Sequence, residues 1–130
     1  MGKNNFILLA EDDEDDQELI ALAFSKITSE HKFEIANNGQ ELLERLQAHS
    51  NLPCLIILDL NMPVLNGIQT LAALNTDPRL RKVPKIILTT SDNDDNKKKS
   101  FSNGAVDYFV KPATMKDFIS TAQKMLTYCD

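Results

Sequence analysis

Two runs of consecutive apolar residues, Phe6-Ile-Leu-Leu-Ala10 and Leu55-Ile-Ile-Leu58, each end abruptly in carboxylates. A half-exposed strand alternates apolar and polar positions. A short unbroken run bounded by turn formers reads instead as a strand buried on both faces, as in parallel sheets. Pro53 precedes the second run, and a Pro63, Asn66, Gly67 cluster follows it. A third run, Lys85 to Thr89, opens after Pro84, and shorter ones cover Phe33 to Ala36 and Tyr108 to Val110. Between the runs, apolar residues recur at helical spacing. Ile20, Ala23, Phe24 and Ile27 predict a helix over roughly Asp15 to Thr28, and Leu42, Leu43 and Leu46 one that ends near His49. Ile68, Leu71, Ala72 and Leu74 predict a third, stopped by Asn75-Thr-Asp-Pro78. Met115, Phe118, Ile119, Ala122, Met125 and Leu126 form the cleanest stripe.

The polar stretch 92–103 is also predicted to be helical. Ser91 and Asp92 can cap it, and acids fill its first turn. Asp94–Lys98 and Asp95–Lys99 are favourably oriented i,i+4 pairs, and Phe101 is its main apolar anchor. Strand and helix thus alternate five times. Right-handed crossovers place helices on both faces of the sheet. The expected fold is α/β, a flavodoxin-like doubly wound (βα)5 domain, with a parallel five-stranded sheet of order 2-1-3-4-5.

The chain has 130 residues, the size of one domain with a substantial core. A net charge of −5 argues against direct nucleic-acid binding, which wants a basic face. The apolar runs are far shorter than a membrane span, so no membrane partner is expected, and a cytoplasmic location is the default. Cys54 and Cys129 have no metal-binding or redox spacing, which fits a reducing compartment. His31 and His49 are isolated in sequence and read as surface or loop residues.

Chemistry gathers at the carboxyl ends of the predicted strands. Glu11 and Asp12 follow the first, Asp59 the third, Thr89 the fourth and Lys111 the fifth. In a sheet of order 2-1-3-4-5 these ends are adjacent, so the groups converge on one crevice. Carboxylates so close repel by about 4 kcal/mol per pair at an effective dielectric of 20, and are tolerable with a cation among them. All-oxygen ligation favours Mg²⁺ shared with a phosphate. A hydroxyl on Thr89 and a mobile charge on Lys111 suit a phosphoryl group on Asp59. Asp13, Glu14, Asp15 and Asp16 read as a solvated first helical turn favoured by the helix dipole. Tyr108 reads equally well as half-buried packing and as a moving part.

These motifs resemble the receiver domain of two-component response regulators over the whole chain. The match rests on Glu11-Asp12, on Asp59 followed by Met62-Pro63 and Asn66-Gly67, and on Thr89, Gly104, Tyr108 and Lys111-Pro112. The intervals, thirty residues from Asp59 to Thr89 and twenty-two from Thr89 to Lys111, are typical of the family. The stretches Asp77 to Pro84 and Leu88 to Ser91 look most like the small free-standing receivers associated with phytochromes. The resemblance implies that Asp59 accepts a phosphoryl group from a sensor histidine kinase or histidine phosphotransfer protein. It also implies that Asp12, Asp59, the Asn61 carbonyl and, through water, Glu11 bind Mg²⁺. Thr89 and Tyr108 would form the switch, Lys111 would pair with Asp59 and then its phosphate, and Pro112 would follow a cis peptide bond. No output domain is expected before Asp130, so output is expected to be a binding event, with dimerisation through the face of the fourth helix, fifth strand and last helix. The competing reading, a Mg²⁺-dependent aspartyl-nucleophile phosphohydrolase, wants a second Asp two residues after the nucleophile, where this chain has Asn61.

Overall fold

A computed structural model describes residues 6–129. The chain runs β1 (Phe6–Ala10), α1 (Glu14–Ser25), β2 (Lys32–Ala36), α2 (Gly39–Ala48), β3 (Leu55–Leu58), α3 (Gly67–Asn75), β4 (Lys85–Thr89), α4 (Asp94–Ser102), β5 (Asp107–Val110) and α5 (Met115–Leu126), then a 3-10 turn, Thr127–Cys129. All strand pairs are parallel, in the order β2-β1-β3-β4-β5. The expected doubly wound fold is the one found.

Strand alternation divides the core into two layers. Leu8, Ala10, Ile56, Leu58 and Ile87 meet Leu42 and Leu46 of α2 and Leu71 and Leu74 of α3. Ile7, Leu9, Leu55, Ile57, Ile86 and Leu88 point the other way, against Ile20 and Phe24 of α1 and Phe118 and Met125 of α5. All four residues of β3 have no exposed surface. At about 1.5–3 kcal/mol for each buried aliphatic side chain, this strand is a firm base for whatever follows it.

The turn after β3 is tightly built. Asn66 caps α3 through a reciprocal box: its side chain accepts from the Gln69 N–H at 2.9 Å, and Gln69 Oε1 accepts from the Asn66 N–H at 2.9 Å. A Cβ at Gly67 would lie 2.5 Å from the Asp59 carbonyl oxygen, so only glycine lets α3 approach this closely. The left-handed position of the turn falls on Val64, with φ 69°.

Several sequence expectations are corrected. Asn93 caps α4 in place of Ser91 or Asp92, accepting from the N–H groups of Asp95 and Asn96. Asp92 pairs instead with Lys97 at 2.7 Å; Asp95–Lys99 forms at 3.0 Å, and no Asp94–Lys98 pair occurs among the described residues. Phe101 is 49% exposed, and the position of α4 turned inward is Ser100, whose hydroxyl donates to the Asn96 carbonyl at 2.7 Å. The register of the cap places Phe101 one position past the buried face. The peptide before Pro112 is trans, as are all described peptides. The trans preference of an ordinary X–Pro bond is about 0.5–1 kcal/mol, and the trans chain already lets the Lys111 N–H donate to the Thr89 carbonyl at 2.7 Å. Finally, Cys54 and Cys129 are joined by a disulfide, with Cα atoms 4.7 Å apart. Because α5 runs back antiparallel to the strands, its end returns to the start of β3, a proximity that sequence spacing does not reveal.

Candidate functional site

Each functional side chain is set by the strand it follows. The Glu11 N–H donates to the Ala36 carbonyl at 3.0 Å, and the Asp59 N–H to the Ala10 carbonyl at 3.1 Å, so the ladders of β1 and β3 continue into the site. Glu11 and Asp59 are buried, at 1% and 6% exposure, while Asp12 faces solvent. One carboxylate oxygen from each of Glu11, Asp12 and Asp59 lies within 4.8 Å of the others.

Lys111 reaches into this cluster from the end of β5. Its Nζ lies 2.7 Å from Glu11 Oε1, 2.7 Å from Asp16 Oδ2 and 3.1 Å from Asp59 Oδ2. Burial alone would weaken this ammonium's hold on its proton, but hydrogen bonds to Asp16 and Glu11 and the charge of Asp59 prevail and raise its pKa. Lys111 is therefore a fixed cation. Burial pushes the Glu11 carboxyl up to about 7; the charge of Asp59 adds to the rise and Lys111 opposes it.

Thr89, at the end of β4, has no exposed surface, and its hydroxyl oxygen has no hydrogen-bond partner. Leaving a buried hydroxyl unpaired costs on the order of 1–3 kcal/mol, and such groups are uncommon in folded proteins. Tyr108, on β5, is half-buried. Its hydroxyl donates to the Ser91 carbonyl at 2.7 Å, and Lys97 Nζ stands 5.8 Å above its ring. Ser91 also holds Asn96 of α4 through its hydroxyl at 2.9 Å, so the β4–α4 loop joins Thr89, Tyr108 and α4. Asn61 is exposed on the turn after β3, with its N–H 3.5 Å from Asp59 Oδ1.

The structure thus brings Glu11, Asp12, Asp59 and Lys111 into one cluster; the Thr89 carbonyl accepts from the Lys111 N–H at 2.7 Å, and Tyr108 reaches the β4–α4 loop through Ser91. Sequence reasoning missed Asp16. It lies in the first turn of α1, three residues after the capping Asp13, and it is a close partner of Lys111 rather than a solvated acid.

The residues fit a divalent cation. Two buried carboxylates and a third at the rim face a single ammonium, an arrangement with surplus negative charge and oxygen donors. The orphaned Thr89 hydroxyl fits a phosphoryl oxygen beside it.

A carboxylate cluster, a lysine and a hydroxyl thus stand at the carboxyl ends of β1, β3, β5 and β4 in a doubly wound α/β domain. The response regulator receiver domain family matches residues 7–123, and the chain belongs to that family. It is 32% identical over 126 residues to the probable methanogenesis regulatory protein FilR2 of Methanothrix harundinacea, covering 94% of this chain and 81% of that protein. It is 33% identical over 122 residues to the response regulator Rcp1 of Synechocystis, covering 90% and 83%. The crystal structure of the phosphorylated cyanobacterial phytochrome response regulator RcpA superposes with a TM-score of 0.87 at 29% identity, over 96% of this chain and 93% of that one. The Mn²⁺-bound form of Rcp1 gives 0.84 at 31% identity, over 95% and 92%. Receiver domains are signalling modules that interact with histidine kinases or phosphotransfer proteins and bind a divalent metal at their acidic pocket. Among the described residues, no helix is long and apolar enough to cross a membrane.

Proposed function

We propose that this receiver takes a phosphoryl group from a phosphohistidine onto Asp59 and signals by phosphorylation-dependent binding to a protein partner or by passing the phosphoryl group on. The observation that supports it best is the convergence on Asp59 of Lys111 from the end of β5 and of Glu11 and Asp12 from the end of β1, with an unpaired Thr89 hydroxyl at the end of the neighbouring strand β4. A carboxylate oxygen of Asp59 attacks phosphorus in line. The new O–P bond forms as the N–P bond breaks, and the leaving electron pair returns to the donor imidazole. Lys111, held charged, exchanges part of its contact with Asp59 for a phosphoryl oxygen. Thr89 donates its hydroxyl to another. Glu11, Asp12, Asp59 and the Asn61 carbonyl would hold Mg²⁺, which neutralises the charge of the transferring group.

Drawing the Thr89 hydroxyl toward the phosphate pulls on the loop that carries Ser91, and so on the Ser91–Tyr108 hydrogen bond and on α4. Helix α4 buries only Ser100, so it belongs to the low-stability end of the structure from which switches are drawn. Phe101, Val106, Val110 and Tyr128 are exposed on or near α4, β5 and the end of α5. This face is the proposed partner or dimer surface.

Incubation with acetyl phosphate and Mg²⁺ tests the reading. One phosphoryl group retained per chain supports it. Continuous phosphate release would instead indicate a phosphohydrolase, and no incorporation would indicate a receiver without phosphoacceptor activity.

A further inference from the structure

The chemistry that phosphoryl transfer leaves unused lies at the opposite pole, where the strands begin. The α1–β2 loop, the residue before β3 and the 3-10 turn after α5 meet there. They bring together His31, Cys54 and Cys129: one ring nitrogen and both Sγ atoms lie within 4.8 Å of one another. All three residues are half-buried. The Cys54 N–H donates to the Phe6 carbonyl at 2.9 Å, and both cysteines pack against the α1–α5 side of the core. His31 is fixed as well. Its Nδ1 hydrogen-bonds to the Thr28 hydroxyl at 2.7 Å, and the Thr28 N–H donates to the Phe24 carbonyl at 3.1 Å.

We propose that Cys54, Cys129 and His31, in the reduced protein, form a binding site for a zinc-class divalent ion, separate from the acidic pocket. Two thiolates and an imidazole are a soft donor set that selects zinc over magnesium or calcium. The ligands come from three elements whose positions the fold already determines, so little ordering is needed on binding. With Nε2 as the ligating atom, the Nδ1 hydrogen bond to the Thr28 hydroxyl is the kind of support that orients such a ligand. Binding turns two thiols into thiolates and releases two protons, with no electron transfer. The sulfurs serve either the disulfide or the metal. An external dithiol opens the site by reducing the disulfide to two thiols as it becomes a disulfide itself. Three protein ligands leave a fourth position free, next to a cavity of about 350 Å³ lined by Phe24, Thr28, His31 and Phe33 among others. The bound ion would tie the end of α5 to β3 and to the α1–β2 loop.

The test is a Co²⁺ titration of the reduced full chain, with its thiols counted by alkylation and mass measurement and excess Mg²⁺ present to occupy the carboxylates. The expected result is one equivalent of tightly bound Co²⁺ with the intense absorption of tetrahedral thiolate ligation, displaced by one equivalent of Zn²⁺. Cys54→Ser and His31→Ala should lose it, and Thr28→Val should weaken it about 10–100-fold. Cys54→Ser should still incorporate phosphate as the wild type does, which shows that it folds. Absence of the tetrahedral spectrum in protein with two free thiols would overturn the proposal, as would an unchanged spectrum in Cys54→Ser or His31→Ala.

Discussion

Replacing Asp12 by Asn should make the metal-free protein more stable while weakening its hold on a divalent cation. Asp12 is the exposed member of the carboxylate cluster, and Lys111 contacts Glu11, Asp16 and Asp59 but not Asp12 among the described ion pairs. Its negative charge therefore meets that of Asp59 and, above about pH 7, that of ionised Glu11, within 4.8 Å and with no cation contact in return. At that distance a pair of like charges costs about 3.5 kcal/mol at an effective dielectric of 20 and about 0.9 kcal/mol in bulk water. Solvent exposure puts Asp12 nearer the lower figure, so removing both repulsions should stabilise by about 1–2 kcal/mol. For a domain of this size that is about 3–8 °C in melting temperature. The same substitution deletes an oxygen donor with its charge, so the stabilisation that wild type gains from Mg²⁺ should largely vanish. Thermal unfolding with and without Mg²⁺, wild type beside Asp12→Asn, measures both effects. A mutant less stable than wild type without metal, or equally stabilised by Mg²⁺, would refute the reasoning.

Glu11 gives a pH dependence. Its carboxyl titrates near 7 in the folded chain against 4.5 ordinarily, because burial and the Asp59 charge outweigh Lys111. The folded state therefore holds this proton more tightly, and the contribution, up to about 3 kcal/mol, is present below 4.5 and lost as pH rises through 7. Denaturant unfolding of the metal-free protein from about pH 5 to 8 should show that loss relative to Glu11→Gln, in which it should be absent; parallel profiles would contradict it. Gly67→Ala should destabilise by about 1–3 kcal/mol and slow phosphorylation, because the new methyl meets the Asp59 backbone. Unfolding and phosphorylation-rate measurements check both.

The fold was legible because the strands are nearly continuous apolar runs. Phe6–Ala10, Leu55–Leu58 and Lys85–Thr89 are buried at every position, so the ends of these strands show in the order of the residues, and the resemblance to receivers supplied the roles of the groups there. Glu11, Asp12, Asp59 and Lys111 were found together for the same reason: each sits just beyond a strand end. What escaped notice depends on distances the sequence does not display. Asp16 and Lys111 are 95 residues apart and Cys54 and Cys129 are 75 apart, and both pairs meet only after the crossovers are complete. His31 read as isolated for the same reason. Phe101 was misplaced because α4 has almost no apolar periodicity, so one residue of register decides which side chain turns inward, and the cap at Asn93 turned in Ser100. The peptide before Pro112 was misjudged because the family pattern, not any local interaction, suggested its isomer.

The central claim is that Asp59 is the phosphoryl acceptor. The most direct measurement is borohydride trapping after treatment with a phosphoryl donor and Mg²⁺, followed by peptide mass spectrometry, since borohydride reduces an aspartyl phosphate to homoserine at the modified position. The account predicts homoserine at position 59 in the wild type and at no position in Asp59→Asn. Trapped product at Asp12, Glu11 or any other carboxylate, or equal phosphate incorporation in Asp59→Asn, would contradict it.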